Sequence, residues 1–202
     1  MVAAKLFRLS SGEASRRVPR WPLISLPLSS GPGEMVSFDL LGPFPKTARD
    51  NSYILLVVDL SSRHAEPNAL SNGEKAAKGC ASLLANNYVT RWDCPQILLS
   101  DREAEFTPKV VEEVYHMLGL KKCLTSYFHS QTNGCVERLN HTVCQMLLHV
   151  IGSQQDNWGE LLLQVVYTHN NHISQPTGLA PNEAHIDRYP RMPMTILTHN
   201  IK

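Results

Sequence analysis

The alternation of apolar and polar positions divides the chain into short strands first and helices after. Residues 35–41 read M-V-S-F-D-L-L, a strand stopped by Gly42-Pro43, which places Asp39 near the strand's end. A polar turn at 49–52 leads into residues 53–60, a run of Val, Leu and Ile of the kind a buried central strand carries. These two segments are expected to pair as a hairpin. Residues 65–70 supply a third strand, confined to a sheet edge because Pro67 has no N–H for a ladder.

The period then changes. Across 72–92, Ala76, Cys80, Leu83, Leu84 and Tyr88 recur at spacings of three and four, which predicts a helix with one core-facing stripe. Pro95 separates it from a strand at 96–100 that runs directly into Asp101. Pro108 opens a second helix ending at Gly119, and residues 121–125 offer a fifth strand. After a polar loop at 126–134, Val136, Leu139, Val143, Met146 or Leu147, and Val150 mark one face of a long helix with Glu137 in its first turns. A last helix covers 158–169, and an irregular end begins at 176–181. This order predicts an α/β fold with a five-stranded mixed sheet flanked by helices.

The 202 residues are 43% hydrophobic, enough for one packed core. The expected organisation is a linker or disordered segment at 1–33, a core domain at 34–190 and a tail at 191–202. The arginines at 8, 16, 17 and 20 loosely resemble a transit peptide, but the Pro, Ser and Gly cluster that follows fits a linker better. No apolar run reaches the roughly 18 residues of a membrane span, so no membrane partner is expected. A net charge of +1 gives no hint of a polyanion ligand, which would need local basic patches. Five cysteines without a C-x-x-C spacing suggest reduced intracellular thiols and no structural zinc.

Three acids stand at the ends of elements: Asp39 and Asp101 on strands, Glu137 on a helix. Each alone has an ordinary explanation, as a turn cap, a helix-dipole partner or an edge-strand acid. Brought together they would repel unless a divalent cation were present, and oxygen-only ligands suit magnesium or manganese. Their contexts are more informative. S-D-R at 100–102 follows an apolar strand, N-G-x-x-E-R-x-N at 133–140 opens an amphipathic helix, and thirty-five residues lie between the last two acids.

Together with F-D-L-L-G-P-F-P (38–45), I-L-L-V-V-D (54–59), L-L-S-D-R-x-x-E-F-T (98–107), H-S-Q-T-N-G-C-V-E-R-L-N (129–140) and T-G-L-A-P-N-E (177–183), these pieces resemble the integrase catalytic core of gypsy-type retrotransposons and retroviruses, within the ribonuclease H-like superfamily. The resemblance implies a metal-dependent polynucleotidyl transferase acting in DNA integration. Asp39, Asp101 and Glu137 are its implied catalytic residues and ligands of two Mg2+ or Mn2+ ions. Its partner would be DNA, both element ends and target, with Phe128, Gln131, Asn133, Asn140 and His141 as contacts. It also implies a homo-oligomer, acting inside the cell and in the nucleus on chromosomal DNA. Asp59 and Glu105 are expected to be structural polar groups. His169 and His172 are expected to be satisfied or exposed histidines and not a metal pair.

Some positions depart from the family pattern. Glu103 and Asp187 stand where glycine is usual, Ser130 for proline, Asn133 for aspartate and Cys135 for glutamine. A His-His-Cys-Cys zinc module and a C-terminal DNA-binding domain, which the family uses for assembly, are not in this sequence. The competing expectation is therefore a decayed or host-adopted DNA-binding or protein-interaction module. A narrower one is another nuclease or transposase of the same fold.

Overall fold

A computed structural model describes residues 31–100, 106–118, 130–151 and 155–189, with side chains at 106–108 and 130–135 left out. The strands are β1 (Met35–Leu41), β2 (Asn51–Asp59), β3 (Ala65–Ser71) and β4 (Ile97–Ser100), in the spatial order β3-β2-β1-β4. β1 and β2 form the expected antiparallel hairpin, β3 continues the meander, and β4 lies parallel to β1. Pro67 is on the edge strand, as its missing N–H requires. Four strands stand among the described residues where five were expected; the fifth candidate, 121–125, lies outside them.

The period-2 geometry of β1 sorts its side chains onto two faces. Val36, Phe38 and Leu40 join Leu55, Val57, Cys80, Leu84, Tyr88 and Val110 in one core. Ile54, Leu56 and Val58 of β2 face the other core with Leu139, Val143, Leu147, Trp158, Leu162 and Val166, and Leu41 of β1 packs there too. Helices α1 (Ala77–Leu83) and α3 (Phe106–Leu118) thus cover one face, and α4 (Ser130–Val150) and α5 (Trp158–Asn170) the other. β2 is buried on both faces, which is why its sequence is continuously apolar.

Several boundaries differ from the sequence reading. The helix expected at 72–92 starts at Ala77, and Leu84–Val89 is π-helical before the short α2 (Thr90–Trp92). The wider π turn keeps Leu84 and Tyr88, four residues apart, both in the core. Residues 130–134, read as polar loop, form the start of α4, because docking of the apolar stripe downstream overrides the weak propensity of S-Q-T-N-G. Glu137 consequently sits in the third turn. A sixth helix, α6 (Pro181–Ile186), occupies part of the expected irregular end. It stops at Asp187, whose φ of 50° and ψ of 37° are left-handed, in agreement with the glycine usual at this position in the resembling family.

Candidate active site

Asp39 is the fifth residue of β1 and pairs with Leu56 of β2. Alternation with Phe38 and Leu40, which point into the α1/α3 core, turns Asp39 toward α4. There the side chain of Asn140 meets it: Asn140 Nδ2 donates to Asp39 Oδ2 at 2.5 Å. The other carboxylate oxygen, Oδ1, accepts the N–H of Leu40 at 2.8 Å. Both oxygens are therefore oriented by donors, the pattern that suits an ionised carboxylate.

Asn140 is only 8% exposed, although the sequence reading placed it on a DNA-contacting or solvated helix face. It borders the buried stripe Val136, Leu139, Val143 and Leu147. Its Oδ1 is buried without a hydrogen-bond partner among the described residues. Glu137 precedes Asn140 by three residues, about one helical turn, and is exposed. Cys144, one turn beyond Asn140, is close enough for Asp39 to act on it. Burial and then the Asp39 charge push its thiol up to about 11, so it is protonated at neutral pH. The spacing 137, 140, 144 thus carries one face of α4 past Asp39, a signal in the sequence that reading only charged residues misses.

β4 completes the frame. Phe38 pairs with Ser100, so the parallel strand ends beside the residue before Asp39. Asp101 follows Ser100 in the chain and, with Glu103, Glu105 and Phe128, lies outside the described residues. Gln131 and Asn133 lie in the first turn of α4 by backbone, their side chains being outside the description. His141 is exposed on α4 and lines a groove of about 560 Å³ between α4 and α5, together with Gln145, His149 and Gln164.

Among the described residues no three His, Cys, Asp or Glu side chains group to hold a metal. Two members of the sequence-derived triad are described, Asp39 and Glu137, and Asn140 links their elements. Their donors are all oxygen, and the orphaned Asn140 Oδ1 adds a buried acceptor beside Asp39, a set that fits a hard divalent cation.

Asp59 plays a different part. It is fully buried, and Oδ1 accepts from the N–H and hydroxyl of both Ser61 and Ser62, while Oδ2 accepts from Gly33 N–H at 2.7 Å. Burial works to raise its pKa, but the hydrogen bonds from Ser62, Gly33 and Ser61 outweigh it and hold the carboxyl below its ordinary value. This is the structural role expected for it. His169 is half-buried with Nε2 3.4 Å from the Arg63 carbonyl, and His172 is exposed.

No family model matches the chain. Its relatives by sequence include the retrovirus-related Pol polyprotein from transposon 412 of Drosophila melanogaster, 24% identical over 161 residues, or 79% of this chain and 13% of that polyprotein. The Transposon Tf2-3 polyprotein of Schizosaccharomyces pombe is 25% identical over 171 residues, 85% of this chain and 13% of the relative. The chain thus spans a small fraction of these polyproteins. By fold, it is similar to the HTLV-2 integrase catalytic core domain in complex with magnesium, a trimeric form, at TM-score 0.56 and 16% identity, covering 77% of this chain and 98% of that one. The catalytic core domain of BIV integrase gives TM-score 0.56 and 21% identity over 77% of this chain and 95% of that one. Sequence relatives and fold neighbours converge on the integrase cores of retrotransposons and retroviruses, with a ribonuclease H-like fold.

Proposed function

We propose that the chain is the catalytic core of a retroelement integrase, a metal-dependent polynucleotidyl transferase that trims the 3′ ends of element DNA and joins them to target DNA. The observation that carries this reading is the Asn140 to Asp39 hydrogen bond, which ties the strand bearing one implied ligand to the helix bearing another. β4, parallel to β1, ends with Ser100 paired to Phe38, and Asp101 is the next residue in sequence.

In this reading Asp39, Asp101 and Glu137 hold two magnesium or manganese ions, which supply Lewis acidity at the attacking and leaving oxygens of a phosphoryl displacement. The protein's own contribution is positional. Leu40 N–H and Asn140 Nδ2 fix the Asp39 carboxylate, so it need not reorganise when DNA arrives. Glu137 is exposed on α4, while the buried face of the same helix anchors it to the sheet. Phe128, Gln131, Asn133 and His141 remain the proposed DNA contacts, and Asn140 serves the carboxylate in place of the DNA. The active form would be an oligomer on element-end and target DNA in the nucleus.

The test is strand cleavage and joining of element-end oligonucleotides with Mg2+ or Mn2+, with flanking integrase domains supplied. Activity lost in Asp39→Asn, Asp101→Asn and Glu137→Gln, all folded, is the expected result. A folded wild-type protein inert under every condition would instead favour the non-catalytic module.

A further inference from the structure

α6 is seated on the end of the β2–β3 hairpin, and the contact centres on two histidines far apart in sequence. His185 stacks on His64 with ring centroids 4.4 Å apart and planes within 13°. Trp92 meets both rings edge-on, 5.3 Å from His64 and 4.6 Å from His185. Ser62 Oγ lies 3.0 Å from His185 Nδ1 and gives its single proton to Asp59 at 2.7 Å. With that proton committed, His185 Nδ1 must be the donor, which sets its tautomer. His64 is 6% exposed, and its Nδ1 has no hydrogen-bond partner.

The charged and titratable groups around the stack come from every element packed on it. They are Asp59 of β2, Glu66 of β3 with its partner Arg91 of α2, and His169 of α5, while Asn182 of α6 hydrogen-bonds His64. The two acids are already engaged. Glu66 accepts from Arg91 Nη1 at 3.0 Å and from Trp92 Nε1 at 2.5 Å. Asp59 accepts five hydrogen bonds from Gly33, Ser61 and Ser62. Neither carboxylate is oriented to receive a new cation on the stack.

We propose that the His64–His185 stack is a proton-operated clasp, holding α6 on the hairpin while both rings are neutral and releasing it when they become charged. Two imidazolium rings cannot share this stack without like-charge repulsion in a desolvated place. Burial pushes both rings down, His64 to about 3 through burial, then His185 and more weakly His169, with Asp59 and a hydrogen bond from Asn182 opposing; at His185, Asp59 and Glu66 oppose. α6 is the last element among the described residues, and its release frees residues 181–186 from the hairpin.

The sign follows from linkage. A ring neutral when clasped and ordinary when free favours the free state as pH falls below about 6.5. From about pH 7.5 to about pH 5, the free-to-clasped ratio rises about thirtyfold for one such ring, and further where the second ring is also refused its proton. α6 is also anchored by buried Pro181, by the Asn182 to Asn171 bond at 3.1 Å, and by a side-chain hydrogen bond between Asn182 and His64 that favours the charged ring and so works against release.

The experiment is hydrogen exchange on the full chain, corrected for the intrinsic pH dependence of exchange. Amides of 181–186 should lose at least tenfold protection across that interval while β2 and α5 amides keep theirs. In His64→Phe, which keeps a ring but cannot be protonated, the pH-dependent loss should shrink to that of one ring. In His185→Gln, which keeps a donor for Ser62, it should be smaller than in wild type. Protection of α6 that stays constant down to about pH 5 while the sheet is folded overturns the proposal, as does an unchanged pH response in His64→Phe. If His185→Gln does not fold, the wild-type profile and His64→Phe decide between these outcomes.

Discussion

Asn140 reaches across 101 residues of sequence to bind Asp39, its Nδ2 2.5 Å from Oδ2 while its own Oδ1 has no partner among the described residues. A side chain buried to 8% exposure with half its carboxamide unsatisfied costs stability, and the arrangement is intelligible if it serves Asp39. If Asp39 holds a metal ion as proposed, Asn140→Ala should lower Mg2+ or Mn2+ affinity about 10- to 100-fold, the range for residues that orient metal ligands. Calorimetric titration of the folded variant checks this, and an affinity equal to wild type would remove Asn140 from the site.

The edge of the sheet gives a second prediction. Asp59 N–H bonds to the His64 carbonyl, so alternation turns the backbone groups of Ala65, Pro67 and Ala69 away from β2. Pro67 has no N–H, and Asn170 of α5 closes Ala65 from both sides, accepting from its N–H at 3.0 Å and donating to its carbonyl at 2.8 Å. Asn170→Ala leaves two buried backbone groups unsatisfied and should cost about 2–4 kcal/mol in denaturant unfolding. The freed edge should also raise self-association, measurable by light scattering.

How far these relationships were legible in the sequence depends on their range. The run 53–60 announced β2, and the positions of Val36, Phe38 and Leu40 already separated Asp39 onto the opposite face of β1. Pro67 marked the edge. The beginning of α4 was misread because S-Q-T-N-G has loop propensity, while the docking that makes it helical lies one and two turns later. Asn140 looked like a surface residue because nothing local shows that it borders the buried stripe. His64 and His185 are a pair only in three dimensions, and α6 is too short to rise above the period of its neighbours. The family motifs identified Asp39, Asp101 and Glu137 as candidate ligands and Asn140 as a candidate DNA contact, but not Asn140 as the donor that orients Asp39.

Two backbone positions should respond oppositely to substitution. Asp187 holds a left-handed conformation at φ 50°, where glycine pays no Cβ penalty, so Asp187→Gly should raise stability by about 0.5–1 kcal/mol. Gly42 has φ 132°, and an added Cβ would fall 2.8 Å from the Ser52 carbonyl oxygen and 2.9 Å from Tyr53 Cδ1. Gly42→Ala should cost about 1–3 kcal/mol through strain and overpacking. Chemical denaturation of both variants beside wild type measures the two signs in one experiment.

Global stability should fall with acid well before the carboxylates titrate. His64, His169 and His185 are all held below the ordinary imidazole value, burial being the leading cause in each. Unfolding lets them take protons below about pH 6.5 that the folded protein refuses, so their contribution is complete above that pH and is lost as pH falls. Each ring that stays neutral adds a slope of about 1.4 kcal/mol per pH unit. Asp59 acts in a lower window, because its depressed pKa contributes stability above the ordinary carboxylate value and surrenders it only as pH falls past that value. Urea denaturation between about pH 7.5 and about pH 4.5 should show stability declining with acid in wild type and less steeply in His64→Phe. A flat profile over that interval would mean that the buried histidines take up their protons without unfolding of the core.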